Sequence, residues 1–106
     1  MHRLHNRKLV TIVTIDALES RLVDCVRRNH ASGYTIVRAR GSGSSGEVSG
    51  LLDIDTNIKF HVIMAEEKIP GLLSDIEALM NKGYHLTLYV SDVTVMSPEK
   101  FDSPLK

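Results

Sequence analysis

The sequence predicts an α+β fold in which a four-stranded antiparallel sheet carries two helices on one face. Apolar runs rich in β-branched residues alternate with two amphipathic helical stretches. Each half of the chain runs strand, helix, glycine, strand, and a Gly-Tyr pair stands at both helix-to-strand junctions, residues 33–34 and 83–84. A βαβ unit that occurs twice with short helices predicts a ferredoxin-like βαββαβ sandwich.

The first predicted strand, residues 9–15, is apolar on both faces. Leu9 and Val13 lie on one face, and Val10 and Ile12 lie on the other. A strand that is buried on two sides needs cover on two sides, and one layer of helices supplies only one. The strand therefore predicts that a partner subunit covers the second face.

Asp16 is predicted to open the first helix, because Asp16 and Glu19 have the spacing of a capping box. The apolar stripe of this helix has helical spacing and consists of Leu18, Leu22, Cys25 and Val26. We expect the helix to end near Ala31, with Gly33 as its C-terminal stop.

The second and third strands are predicted at residues 34–40 and 57–64. In the second, Thr35, Val37 and Ala39 share one face. In the third, Ile58, Phe60, Val62 and Met64 alternate with Lys59, His61 and Ile63.

The second helix is predicted within residues 66–82, with Pro70 in its first turn and Gly83 as its stop. Residues 84–90 form the fourth predicted strand, and residues 92–96 either extend it or form a short fifth. Residues 97–106 contain two prolines and are predicted to be a C-terminal tail.

The composition is that of one ordinary globular domain spanning residues 1–106. Acidic and basic residues balance at 13 each, so no overall field points to nucleic acid or to an acidic membrane. No apolar run is long enough to span a bilayer, and the basic residues 1–8 are not followed by the apolar segment of a signal peptide. The single cysteine, Cys25, excludes an internal disulfide framework, and we expect a cytoplasmic protein.

A glycine- and serine-rich connection, residues 38–52, follows the second strand. Residues 41–46 read G-x-G-x-x-G, but no helical pattern follows, so the dinucleotide fingerprint fails. The P-loop also fails, because Glu47 stands where a lysine is required. Two interpretations stay open: a concave site for an anion built from backbone N–H groups, or a flexible linker without a ligand.

The remaining polar residues give weak signals. His2 and His5 are expected in a mobile N-terminus, and His30 is expected at a helix end. His61 and His85 are predicted on strands, where they could share a sheet face, yet no metal-binding motif accompanies them.

Catalysis and RNA binding have little support in the sequence. Asp53, Asp55, Glu66 and Glu67 have no nucleophile at an interpretable spacing, so no catalytic residue is predicted. Phe60 is the only strand phenylalanine, and RNA-binding sheets of this kind need exposed aromatics.

Three segments carry a family resemblance: residues 33–37 (GYTIV), 41–44 (GSGS) and 57–63 (NIKFHVI). In order and spacing, residues 8–95 resemble the PII-like signalling proteins of the carboxysome-associated and bicarbonate-transporter-associated branches. The resemblance implies a homotrimer with adenine nucleotides bound in the clefts between subunits. It also implies a core of residues 8–96 and a target-contacting T-loop at residues 42–55.

The resemblance also implies a set of nucleotide-binding residues. Thr35 and Ile63 would lie at the adenine, and Gly41, Gly43 and Ser44 would face the ribose and phosphates. Ser45 lies beside them, and Arg40 and Lys59 are nearby cations. No metal, cofactor or catalytic residue is implied.

The chain departs from the PII proteins that bind ATP. It lacks their glycine-rich lysine loop after the second helix, where only Lys82 stands, and residues 91–96 contain no arginine. Each missing cation removes a charge-assisted phosphate contact of about 1.5–3 kcal/mol. We therefore expect AMP or ADP to bind at least as well as ATP, without Mg²⁺.

The function that the resemblance implies is non-catalytic sensing. The protein would regulate a partner in inorganic carbon uptake or carboxysome function, such as a bicarbonate transporter or a carboxysome component, with bicarbonate as a second candidate ligand. Three alternatives stay open: a nitrogen-regulatory PII-type protein acting on ammonium transport, a metal-tolerance-like trimer without nucleotide sensing, and a small enzyme. No nucleic-acid partner is expected.

Overall fold

The computed structural model describes residues 3–40 and 57–96. The elements, in chain order, are β1 (His5–Ile15), α1 (Glu19–Arg28), β2 (Thr35–Ala39), β3 (Asn57–Met64), α2 (Ile69–Asn81) and β4 (Thr87–Val95). Short 3₁₀ turns, Asp16–Leu18 and Glu66–Lys68, precede the two helices. The predicted βαββαβ order is confirmed in these residues.

The four strands form one sheet in the order β2-β3-β1-β4. Every neighbouring pair is antiparallel. The central strand β1 pairs with β3 from Lys8 to Ile15 and with β4 from His5 to Val13. This arrangement is the predicted ferredoxin-like sandwich.

The core lies between the helices and one face of the sheet. Val10, Ile12 and Phe60 are fully buried on the sheet side. They pack in one cluster with residues of both helices, including Leu22, Val26, Leu72 and Ile76. Burying each large apolar side chain contributes about 1.5–3 kcal/mol, so this layer is the main source of stability.

The first strand is longer than its apolar run. It was predicted from Leu9, but β1 begins at His5, which pairs with Val95. The expectation that His5 lies in a mobile N-terminus is therefore wrong, because β4 extends far enough to supply backbone partners to polar residues. Asn6 and Arg7 lie beyond the end of β3, so this part of β1 and β4 forms a projecting two-stranded ribbon.

The start of α1 differs from the prediction. Asp16 begins a 3₁₀ turn, the α-helix begins at Glu19, and no side chain caps either segment. Leu18 is buried in the core. The backbone N–H of Glu19 donates to the carbonyl of Asp16, so a tight turn takes the place of the capping box.

The end of α1 also differs. The helix ends at Arg28 rather than near Ala31, and the left-handed residue after it is His30 (φ 62°), not Gly33. The backbone N–H of Ala31 donates to the carbonyl of Val26 at 2.9 Å, which closes the helix end. Ala31 is fully buried, so the chain turns before the glycine is reached.

The second half follows the prediction more closely. Pro70 lies in the first turn of α2, and Gly83 (φ 101°) ends the helix. The fourth strand is one continuous element from Thr87 to Val95, so residues 92–95 extend it and no separate fifth strand forms in the described residues. His85 precedes β4, so the expectation that it lies on a strand is wrong.

Candidate functional site

The face of the sheet opposite the helices is uncovered in the protomer. We call it the open face; it consists of the odd-numbered residues of the four strands. Three residues that the sequence assigned to nucleotide binding lie on it: Thr35 on β2, and Lys59 and Ile63 on β3. The structure therefore brings part of the predicted site together on one surface.

The register of β2 against β3 defines how these three residues are arranged. Thr35 pairs directly with His61, so it lies diagonally across from both Lys59 and Ile63. Diagonal neighbours of this kind are about 7–8 Å apart, within reach of one small ligand. Thr35 and Lys59 are exposed and Ile63 is half-buried, so the patch offers a hydroxyl, a cation and an apolar surface.

Arg40 lies at the other end of the edge strand. It follows Ala39, which pairs with Asn57 at the start of β3. Thr35 and Arg40 are therefore separated by the length of β2, about 16 Å at the rise of an extended strand. Gly41, Gly43, Ser44 and Ser45 lie outside the described residues. The described part of the candidate site thus runs along the edge strand towards the glycine-rich connection.

His61 lies at the centre of the patch, and the prediction that it is on a strand is confirmed. It stands between Lys59 and Ile63 on β3 and opposite Thr35, although the sequence did not assign it to nucleotide binding. Its Nδ1 lies 3.3 Å from Oγ1 of Thr11 on the neighbouring strand. Strand alternation already put His61 on the same face as Lys59, but only the register reveals Thr35 beside it.

The charge on the open face is one-sided. Its ionisable side chains include Arg7 and Lys59, which are cationic, and two histidines, His5 and His61. None of the odd-numbered residues in the four strands is Asp or Glu. Such a surface favours an anionic ligand over a cationic one.

Two cavities lie elsewhere, beneath the projecting ribbon. The larger, about 390 Å³, lies between Asn6 and Arg7 of β1 and the turn that follows β3. The smaller, about 280 Å³, includes Lys8, Glu66 and Asp92. Neither cavity is lined by a predicted site residue, as expected for a site on an uncovered sheet that only a neighbouring subunit would enclose.

An ion pair stands beside the smaller cavity. The Lys8 ammonium donates a hydrogen bond to the carboxylate of Asp92, its partner across β1 and β4, and lies 4.0 Å from Glu66. The hydrogen bond to Asp92 raises the pKa of Lys8, against a smaller opposing effect of desolvation. The lining of this cavity contains two cations, Arg7 and Lys8, and two carboxylates, Glu66 and Asp92, so it has no excess of one charge.

The described residues give little support to other chemistries. Burial raises the pKa of the Cys25 thiol, which reduces its nucleophilic thiolate form. Phe60 is fully buried and stacks on Tyr34 with ring centroids 4.9 Å apart, so it cannot stack on a base. Residues 3–40 and 57–96 hold no cluster of three metal-ligating side chains. Neither described helix is long and apolar enough to cross a membrane.

Comparison with known proteins gives one family. The family model described as nitrogen regulatory protein P-II matches residues 7–100. No curated protein sequence matches the chain significantly.

Solved structures match over nearly the whole chain. CPII from Thiomonas intermedia K12, a nitrogen regulatory PII-like protein bound to ADP, AMP and bicarbonate, has 26% identity and a TM-score of 0.86, covering 97% of this chain and 100% of that one. CPII bound to ADP and bicarbonate has 29% identity and a TM-score of 0.84, covering 95% and 99%. A protein of Thermus thermophilus described as PII-like signalling has 37% identity and a TM-score of 0.76, covering 92% and 97%.

Proposed function

Because the chain belongs to the nitrogen regulatory protein P-II family, we propose that it is a non-catalytic sensor of adenine nucleotides that regulates a partner protein. PII proteins are homotrimers, and the uncovered, partly apolar open face is consistent with that assembly. Nucleotides bind in the clefts between subunits, and residues 42–55 serve as the T-loop that the partner contacts.

The observation that carries this proposal is the likeness to CPII, over nearly the whole chain, in its nucleotide-bound structures. The described residues support it, because Thr35, Lys59 and Ile63 share one patch on the open face. Thr35 and Ile63 contact the adenine, and Lys59 and Arg40 supply positive charge. Gly41, Gly43, Ser44 and Ser45 hold the ribose and phosphates.

The preferred nucleotide is AMP or ADP. The chain lacks several cations that ATP-binding PII proteins use, and a triphosphate carries the most charge, so it loses the most from their absence. Bicarbonate is the second ligand, supported by its presence in CPII with ADP. No metal or other cofactor is required.

The regulated process is inorganic carbon uptake or carboxysome function. Bicarbonate in the CPII structures supports this direction, because a protein that binds both ligands couples carbon supply to energy state. The partner is a bicarbonate transporter or a carboxysome component, and the protein acts in the cytoplasm. Each ligand changes the T-loop only to the extent that it binds one loop conformation more tightly than the other.

Thermal shift and calorimetry with AMP, ADP and ATP, each with and without bicarbonate, test the proposal. We expect AMP or ADP to raise the melting temperature in the absence of Mg²⁺, and bicarbonate to strengthen that shift. No shift with any nucleotide would refute nucleotide sensing. ATP binding more than about tenfold tighter than ADP would refute the preference, since that factor is about 1.4 kcal/mol.

A matched pair of variants tests the location of the site. Thr35→Val and Thr87→Val are the same change on exposed, open-face threonines that begin the two edge strands. Losing one hydrogen bond at the adenine should weaken ADP binding about threefold to tenfold in Thr35→Val only. Equal effects in both variants would contradict the proposed location. Gly43→Val should abolish nucleotide binding and leave the trimer intact.

A nitrogen-regulatory role is the second candidate, because the description of the matching family model suits it. That role would involve ammonium transport and a long, modified T-loop. Residues 41–55 contain no tyrosine for such a modification, and the connection is short. The thermal-shift screen with nucleotides also distinguishes a metal-tolerance-like trimer from both sensors, since such a trimer would show no response to nucleotides.

A further inference from the structure

A continuous polar row crosses the middle of the open face. Thr35 pairs with His61, His61 with Thr11, and Thr11 with Tyr89, so the row includes one residue from each of the four strands. Three of these side chains carry a hydroxyl and the fourth an imidazole. Thr35 and Tyr89 are exposed and His61 is half-buried, so these three present hydrogen-bonding groups to whatever covers this face.

The rows on either side are largely apolar near the centre. Val13 and Val37 flank Lys59 on one side of the polar row, and Leu9 and Ile63 lie next to each other on the other side. Val37 is 48% exposed in the protomer, which is high for a valine in the body of a strand. A partner can cover such a surface well in only one position, in which its polar groups meet the polar row and its apolar groups meet the apolar rows.

His61 is the titratable group at the centre of this row. Its Nδ1 faces the hydroxyl of Thr11 at 3.3 Å, and Nε2 has no hydrogen-bond partner within residues 3–40 and 57–96. Thr11 is almost completely buried, whereas His61 is half-buried. One polar atom of the imidazole is therefore available to a covering surface.

We propose that protonation of His61 weakens the association of the copies that cover this polar row in the homotrimer. A second copy covers the polar row, because a homotrimer requires a contact surface and the open face is the side of the sheet that the helices leave uncovered. The inference thus rests on the trimeric assembly in the proposed function. Beyond the response to nucleotides, it predicts that assembly of the trimer depends on pH.

The surroundings of His61 explain the direction of the effect. From its own strand, Lys59 shares its face; β1 and β2 present the neutral Thr11 and Thr35, and β4 presents the phenol of Tyr89. The helices pack on the opposite side of the sheet. Because no open-face strand residue is acidic, an imidazolium there gains no carboxylate from its own strands and adds to existing positive charge.

Assembly therefore favours the neutral imidazole. Covering the face removes water from His61, and a desolvated, uncompensated charge is costly. Histidine changes charge between about pH 5 and 8, so the trimer should be present at the upper end of that range and weaken as pH falls. The same face of every subunit contributes, so the penalty recurs in each copy.

Analytical ultracentrifugation of the nucleotide-free full chain at about pH 8 and about pH 5.5 tests this inference. The dissociation constant of the wild-type trimer should rise at least about tenfold at the lower pH. His61→Gln keeps a polar side chain that does not titrate, and we expect it to remove most of that rise. His85→Gln, an exposed residue before β4, is the control and should behave as wild type.

Two results would overturn the inference: a wild-type dissociation constant that is the same at both pH values, or a full-sized rise that persists in His61→Gln. Circular dichroism at both pH values distinguishes dissociation from unfolding. ADP titration at pH 8 keeps the two proposals separate. A pH-independent trimer that binds ADP contradicts only the role of His61, whereas a His61-dependent trimer that ignores nucleotides contradicts only the sensor.

Discussion

A single glycine allows the two helices to meet. Gly71, in the first turn of α2, lies against Asn29, which follows α1, and a Cβ at this position would overlap Oδ1 of Asn29. The Asn29 amide is held in place, because its Nδ2 donates to the carbonyl of Cys25 at 2.8 Å and to the carboxylate of Asp75 at 2.7 Å. It cannot move aside without losing these bonds.

Gly71→Ala should therefore lower the free energy of unfolding by about 1 kcal/mol. Alanine favours a helix over glycine by about 1 kcal/mol, but the lost hydrogen bonds of Asn29 outweigh that gain. In an Asn29→Ala background the obstacle is gone, and the same substitution should raise stability. Urea unfolding of the double-mutant cycle measures both effects. A stabilising Gly71→Ala in the wild type would contradict this account.

At the residue scale, the sequence could predict faces but not neighbours. Alternation correctly put Thr35, Lys59 and Ile63 on the sides of their strands that become the open face. It could not show that His61 lies between them, because the register of β2 against β3 depends on packing between residues on either side of the connection from residue 40 to residue 56. The contact of Asn29 with Asp75 could not be predicted either, because it depends on how residues distant in sequence pack together.

At the scale of the elements, the two halves look alike in sequence and end their helices differently. Both halves predict a glycine stop, yet only Gly83 has a positive φ, and His30 takes the left-handed position after α1. The sequence could not distinguish the two helix ends, since either a histidine or a glycine can follow a helix. The burial of Ala31 decides where the first turn occurs.

Gly83→Ala and Gly33→Ala should therefore differ in effect. A Cβ at φ 101° is strained and should cost at least about 1 kcal/mol, whereas Gly33 has no positive φ and no atom within 4 Å of an added Cβ. Gly33→Ala should leave stability within about 0.5 kcal/mol of the wild type. Thermal and urea unfolding measure both. Equal losses would show that the resemblance between the halves extends to their turns.

At the scale of the whole molecule, the topology followed from the repeat. Two βαβ units with short helices allow few arrangements, and the predicted four-stranded antiparallel sheet is confirmed, whereas the cover over the second face of β1 stays a prediction. The projecting ribbon was not expected, because polar residues such as Asn6 are held by backbone pairing rather than by burial. Side-chain patterns contain little information about such pairing.

Ile15→Lys should separate the subunits without unfolding them. Ile15 is 46% exposed at the end of β1 on the open face, so a lysine costs the isolated protomer little but brings a charge to the assembled surface. Leu73→Lys on α2, 38% exposed on the helical side, is the matched control. Light scattering should give a monomer for the first variant and a trimer for the second. A trimeric Ile15→Lys would place the subunit contact elsewhere.

The central position of β1 also determines the order in which the molecule can be completed. This strand is synthesised before the other three, yet one of its two neighbours, β4, is the last of the four, and His5 meets Val95 only when all the residues between them exist. During synthesis, one edge of β1 stays without its strand while the other gains β3. Contacts between residues so distant in sequence slow folding. Until they form, the unpaired edge of β1 is exposed and can pair with strands of other nascent chains.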